Sequence, residues 1–104
     1  MNIAKFLDYL LKRDRAERTI DGYRHDLGHF AAWFEQTTGQ PADPVRITPL
    51  DIREYRQYLK TTQRLKPASV NRKLAALRTY FCWARDAGLV AHNPTDGIKS
   101  VRQT

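Results

Sequence analysis

The sequence predicts an all-α protein, a four-helix orthogonal bundle. Apolar residues recur every three or four positions in four separate stretches, which is the spacing of amphipathic helices. Short segments with proline, glycine or capping residues separate these stretches, and none of them shows the alternation of a strand. With 104 residues, 41% of them hydrophobic, the chain is long enough for one domain with a modest core.

The first helix is predicted at residues 3–13. Its apolar residues would form one face, and the mostly charged residues 14–18 would connect it to the second helix. The face consists of Ile3, Phe6, Leu7, Leu10 and Leu11.

The second helix is predicted to begin at Thr19, whose hydroxyl can accept a hydrogen bond from an unpaired N–H of the first turn. Asp21 in that turn would interact favourably with the positive end of the helix dipole. We expect the helix to end near Gly39, with a loop at residues 39–44. Its apolar stripe consists of Ile20, Tyr23, Leu27, Phe30 and Phe34.

The third helix has the clearest start signal in the chain. Thr48 is the predicted N-cap, Pro49 occupies the first helical position, and Asp51 can complete a capping box. We expect the helix to fray near residues 61–62. Its apolar stripe consists of Ile52, Tyr55 and Leu59.

The fourth helix is predicted from Pro67 to about Ala87, with Gly88 as its C-terminal stop. Its apolar stripe consists of Val70, Leu74, Leu77, Phe81 and Ala84. After this helix, Asn93-Pro94 breaks the pattern. Residues 95–104 are polar, so we expect them to be loosely held.

Positive charge is concentrated in one part of the chain. The protein has 18 Lys and Arg against 11 Asp and Glu, a net charge of +7. Residues 56–85 carry eight basic side chains and no acidic one, and the rest of the chain is nearly balanced. Such a one-signed field favours a polyanionic partner, because basic side chains that neutralise phosphates release counterions. The alternative is an ordinary solvated helix face.

The fourth helix carries the candidate binding face. At about 100° per residue, Arg72 points away from the apolar stripe, Ser69, Ala76 and Thr79 share its side, and Lys73 lies at the edge. Small residues around one long cation suit entry into a DNA major groove. There Arg72 can bind guanine through two hydrogen bonds, while Ser69 and Lys73 contact phosphates. Trp83 also points outward, so we expect the first helix or the C-terminal segment to cover it.

The second helix carries a weaker version of such a face. Arg18, Thr19 and Arg24 cluster at its start, but Asp21 and Asp26 dilute the positive field.

Two motifs resemble signatures of the tyrosine recombinases. Residues 19–30 resemble the Thr-x-x-x-Tyr-x-x-Asp-Leu-x-x-Phe of their second helix. Residues 69–83 resemble the Ser-x-x-Arg-x-Leu-x-Ala-Leu-Arg-x-Phe-Tyr-x-Trp of their fourth helix, and Asn93-Pro94 resembles the start of their linker. The resemblance is to the N-terminal core-binding, SAM-like domain of phage integrases and Xer-type recombinases.

This resemblance implies a core-binding domain at residues 1–92 and a linker at residues 93–104 toward a catalytic domain of the same parent chain. In the family, that second domain supplies the catalytic Arg, Lys, His and nucleophilic Tyr, so we expect no catalytic residue in this chain. The implied partners are double-stranded DNA and other recombinase protomers in a synaptic complex. The predicted DNA-binding residues are Arg18, Thr19, Arg24, Lys66, Ser69, Arg72, Lys73 and Arg78.

Other kinds of site find little support in the sequence. His25 and His29 have a spacing that zinc ligands use, but no third ligand accompanies them, so no metal or other cofactor is predicted. No apolar run is long enough to span a membrane. The single cysteine, Cys82, cannot form an internal disulfide, which suits a reducing cytoplasm.

Two alternative functions remain open. One is a stand-alone helix-turn-helix regulator, although the fourth helix is longer than the recognition helices of such proteins. The other is a basic helical adaptor that binds acidic proteins.

Overall fold

A computed structural model describes residues 1–13 and 15–102 of the chain. It contains four α-helices, which are α1 (Ile3–Leu11), α2 (Glu17–Thr38), α3 (Pro49–Thr61) and α4 (Pro67–Asp86), with a short 3-10 turn at Pro44–Arg46. The described residues include no strand. The all-α prediction is therefore confirmed. Asp14 of the predicted connection and residues 103–104 of the predicted linker lie outside the described residues.

The core lies between α2 and α4, the two longest helices, with α1 and α3 packed against them. All five residues of the predicted α4 stripe are buried, as are the three of α3. In α1 the prediction was wrong at one position, because the side chain of Leu11 is 58% exposed. Leu11 is the last residue of α1, where the chain turns away before the next helix can cover it. The largest fully buried side chains are Phe6, Leu27, Phe30, Ile52, Tyr55, Leu59, Val70, Leu77, Tyr80 and Phe81.

The helix ends follow the capping signals at α3 but not at the start of α2. At α3, the Thr48 hydroxyl accepts a hydrogen bond from the Asp51 N–H at 3.3 Å, and the Asp51 carboxylate accepts one from the Thr48 N–H at 2.9 Å. The prediction of Thr19 as N-cap was wrong. Helix α2 starts at Glu17, since the carbonyl of Ala16 already accepts a hydrogen bond from the Ile20 N–H at 3.1 Å. Thr19 therefore lies in the first turn, with its side chain exposed.

An aromatic cluster attaches α1 to the C-terminal half of α4. The ring of Phe6 meets Tyr80 edge-on at 5.6 Å and Trp83 at 5.5 Å between centroids. Tyr9 also contacts Trp83, at 6.2 Å. The expectation that α1 covers the outward-pointing Trp83 is confirmed.

Residues 93–102 pack back along α4, and we call this segment the terminal strap. Asn71 holds it through two hydrogen bonds, since its amide donates to the Val101 carbonyl at 2.9 Å and its carbonyl accepts from the Val101 N–H at 2.7 Å. Asn93, Thr95 and Ile98 are buried. The expectation of a loosely held segment was therefore wrong up to Arg102. The segment is mostly polar, so its composition did not reveal the few apolar residues that anchor it. Nor did it reveal that a side chain of α4 forms hydrogen bonds with the strap backbone.

The adjacent leucines Leu10 and Leu11 allow a matched test of the core. Leu10 is 3% exposed, whereas Leu11 is 58% exposed. We expect Leu10→Ala to lower the free energy of unfolding by about 2–5 kcal/mol, because it removes buried methyl groups and leaves a cavity. Leu11→Ala should change it by less than about 0.5 kcal/mol. Urea denaturation monitored by circular dichroism measures both, and equal losses would contradict the described position of α1.

Candidate nucleic-acid interface

Helices α2 and α4 meet along a shallow open groove of about 250 Å³. Most of its lining side chains are short, and at Gly22 an added Cβ would meet nothing within 4 Å. A ligand surface can therefore approach the backbones of both helices. The lining residues are Thr19, Gly22, Tyr23 and Asp26 of α2 and Arg72, Ala75 and Ala76 of α4.

A cluster of three charged residues lies at this groove. The carboxylate of Asp26 is buried, and its Oδ1 accepts hydrogen bonds from Lys73 Nζ at 3.0 Å and from an Arg72 Nη at 3.2 Å. The Lys73 side chain is only 8% exposed, whereas that of Arg72 is 64% exposed. Lys73 and Asp26 thus form a buried ion pair, and Arg72 touches this pair from the solvent side.

Five other predicted residues lie at or near the two helix starts. Arg18 and Thr19 are exposed in the first turn of α2, and Lys66 is exposed at the N-cap of α4. Ser69 is half-buried in the first turn of α4. Arg24 is exposed and forms an ion pair with Asp21 on the same helix.

Two predicted binding residues are placed differently from the expectation. Lys73 was expected at the edge of the exposed face but is buried against Asp26, because α2 crosses that side of α4. Ala76 was expected to point outward and is buried for the same reason. Arg78 points to the terminal strap, where its Nη2 donates to the Ile98 carbonyl at 3.3 Å. It lies about 240° around the helix from Arg72, so the groove does not include it.

The sequence analysis missed the role of Asp26, which it interpreted as a residue that dilutes the positive field. The sequence did contain a signal that Asp26 is buried. Asp26 follows Tyr23 by three positions and precedes Phe30 by four, so it lies on the apolar side of α2. A carboxylate on that side needs a buried partner.

The exposed charge at the groove is positive. Within the described residues, Asp26 is the only ion-pair partner of Arg72, and Lys73 already neutralises that carboxylate. The first turn of α4 has no acidic residue, and the positive end of the helix dipole lies there. This part of the surface is therefore suited to an anion.

A histidine–tyrosine pair links α2 to α3. The ring Nδ1 of His29 lies 2.7 Å from the hydroxyl of the buried Tyr55. Burial raises the pKa of Tyr55 well above its usual range, and the charge of Asp26 adds to the effect, so the phenol remains a donor. Burial, followed by the charges of Lys73 and His25, lowers the pKa of His29. Neutral His29 is therefore the natural acceptor for the Tyr55 hydroxyl.

Neither a metal site nor a membrane span emerges in the part of the chain that the structure describes. In residues 1–13 and 15–102, no three His, Cys, Asp or Glu side chains converge in a way that could hold a metal ion. None of the four helices described above is long and apolar enough to cross a bilayer.

Comparison with known proteins decides the family. Residues 3–88 match the model of the phage integrase, N-terminal SAM-like domain family. The chain belongs to this family. The resemblance of residues 19–30 and 69–83 to the tyrosine recombinases is thereby confirmed, and so is the SAM-like type of fold. No solved structure matches this integrase-type domain.

Relatives of this integrase-type domain are named as recombinases. Tyrosine recombinase XerC of Leptospira interrogans is 35% identical over 91 residues, which is 86% of this chain and 28% of that protein. Tyrosine recombinase XerC of Xanthomonas axonopodis is 29% identical over 97% of this chain and 36% of its own length. Tyrosine recombinase XerC of Xylella fastidiosa is 28% identical over 88% of this chain and 30% of its own length. The chain thus spans about a third of the length of the curated relatives it matches.

The lowered pKa of His29 predicts a pH-dependent stability. Since the folded state holds this pKa below its usual value of 6.5, the unfolded chain binds the proton more tightly. The stabilisation is therefore complete above pH 6.5 and is lost as the pH falls below that value. We expect the free energy of unfolding to decrease over this acid range, and His29→Gln to reduce the decrease.

Urea denaturation at a series of pH values measures this effect. His92→Gln, at an exposed position, is the matched control and should keep the wild-type pH dependence. An unchanged pH dependence in His29→Gln would assign the effect to other groups.

Proposed function

We propose that this chain is the DNA-binding module of a site-specific tyrosine recombinase, and that it holds core-site duplex DNA through α2 and α4. The observation that carries the proposal is the exposed Arg72 guanidinium, set among small side chains at the groove between these helices. Its positive charge remains after Lys73 has neutralised Asp26. A duplex backbone or base edge can approach such a surface closely.

The proposed contacts divide into base and backbone contacts. Arg72, on the second turn of α4, is long enough to reach a base edge in the major groove, and two parallel hydrogen bonds to guanine are the commonest specific contact of arginine. Ser69 and Lys66 at the start of α4, with Arg18 and Thr19 at the start of α2, would contact phosphates and fix the register. Arg24 is a peripheral member of this set, because Asp21 partly offsets its charge.

We propose that the parent protein breaks and rejoins DNA. The relatives that support this are named tyrosine recombinases, and this chain corresponds to about a third of their length. The catalytic residues would lie in the remaining part, connected through residues 93–104. Other recombinase protomers and the catalytic domain of the same chain are the proposed partners.

Arg72→Ala tests the base-contact proposal. We expect it to weaken binding to a preferred duplex by about 1–3 kcal/mol and to relax the preference at one base pair. The preferred duplex is obtained by selection from randomised duplexes on the wild-type chain. Fluorescence anisotropy over a series of salt concentrations then gives affinity and salt dependence. The matched control is Arg46→Ala, an exposed arginine before α3, which should leave the preference unchanged.

The same titrations separate the alternatives. Affinity that falls steeply with salt is expected, by about 0.9 in the logarithmic slope for each phosphate contacted. An unchanged affinity and preference in Arg72→Ala would contradict the proposed orientation of α4. Equal binding of polyglutamate and duplex DNA would favour a basic adaptor that recognises acidic proteins.

A further inference from the structure

The pair of Asp26 and Lys73 touches Arg72, and its two side chains are only 6% and 8% exposed. We propose that Asp26 and Lys73 are positioning residues, which aim the Arg72 guanidinium into the groove and leave its charge available to DNA. The proposal rests on the proposed function of α4 as the helix that contacts bases. Asp26 and Lys73 would then affect the base preference without touching a base.

The charges of the cluster support this assignment. A buried carboxylate needs a neutralising partner, and Lys73 is the partner that is itself buried. Arg72 is therefore not required to neutralise Asp26, and the cluster as a whole keeps one positive charge. That charge lies on the most exposed of the three side chains, which is 64% accessible.

The geometry explains how Arg72 would be aimed. One Nη of its guanidinium donates to Asp26 Oδ1 at 3.2 Å, the same oxygen that accepts from Lys73 Nζ at 3.0 Å. The other N–H groups of the guanidinium remain for a ligand. An exposed arginine without an anchor samples many rotamers and loses that freedom on binding. Anchoring to a rigid carboxylate removes part of this cost in advance and favours one direction of approach.

Lys73 would then affect DNA binding without contacting a phosphate. In its absence, Asp26 would be left with Arg72 alone and would draw the guanidinium toward itself. The Lys73 side chain is 8% exposed and its ammonium is paired with Asp26, so it should contribute nothing to the salt dependence.

The test replaces both members of the pair by apolar residues of similar size, Asp26→Leu with Lys73→Met. Removing only one would leave the other charge without its buried partner and destabilise the domain, whereas exchange of a complete buried pair is often tolerated. We expect the double variant to lose about tenfold in the ratio of affinities for the selected duplex and a scrambled duplex, a part of what Arg72→Ala loses. The salt slope on the scrambled duplex should not change.

The matched control is Asp8→Leu with Lys12→Met, which makes the same exchange in an exposed pair on α1. It should keep the wild-type ratio of affinities. A folded Asp26→Leu/Lys73→Met chain with the wild-type ratio would overturn the positioning role. A salt slope on the scrambled duplex that is lower by about 0.9 in this variant would also overturn the positioning role, because Lys73 would then contact a phosphate itself. If Arg72→Ala also kept the wild-type ratio, the proposed function would fail instead.

A second measurement needs neither a variant nor DNA. Nitrogen-15 relaxation of the Arg72 Nε–H group in the wild-type chain reports how firmly the guanidinium is held. We expect a higher order parameter for Arg72 than for Arg46, which is also exposed and forms no ion pair within the described residues. Equal values for the two arginines would overturn the positioning role, whether or not the double variant folds.

Discussion

A buried carboxylate on α2 meets its counter-charge on α4 where the two longest helices of this domain pack together. Asp26 cannot lie in the core without a counter-charge, and Lys73 of α4 supplies it at 3.0 Å. This pairing requires the same rotation of α4 about its own axis as burial of its apolar stripe does. Lys73 turns inward, Arg72 turns toward solvent, and the small residues Ala75 and Ala76 come to lie at the groove beside Gly22. The candidate interface therefore follows from a constraint inside the domain.

The rest of the fold leaves this surface uncovered. Helix α1 packs on the C-terminal half of α4 through Phe6 and Tyr9, and the terminal strap follows another side of α4 through Asn71 and Arg78. Helix α1 and the strap thus cover other parts of α4, while the side chains of Lys66 and Arg72 stay exposed together with the start of α2. The strap also brings the chain back toward the start of α4, where Asn71 pairs with Val101.

Local signals in the sequence predicted the local structure well. The capping box at Thr48 and the glycine that ends α2 are decided by neighbouring residues, and the apolar stripes are decided by helical periodicity. The burial of Lys73 and the position of Arg78 depend on where other segments cross α4. The periodicity of one helix contains no information about that crossing. Thr19 was misplaced as a cap because a helix can begin wherever an extended residue such as Ala16 offers its carbonyl.

We propose that duplex DNA binds at the groove between the starts of α2 and α4. Nitrogen-15 correlation spectra of the labelled chain, recorded during titration with duplex DNA, locate the binding surface. We expect the largest shift changes on the amides of Thr19, Ser69 and Arg72 and on their neighbours in the first turns of both helices. Changes concentrated on α3, with these amides unaffected, would contradict it.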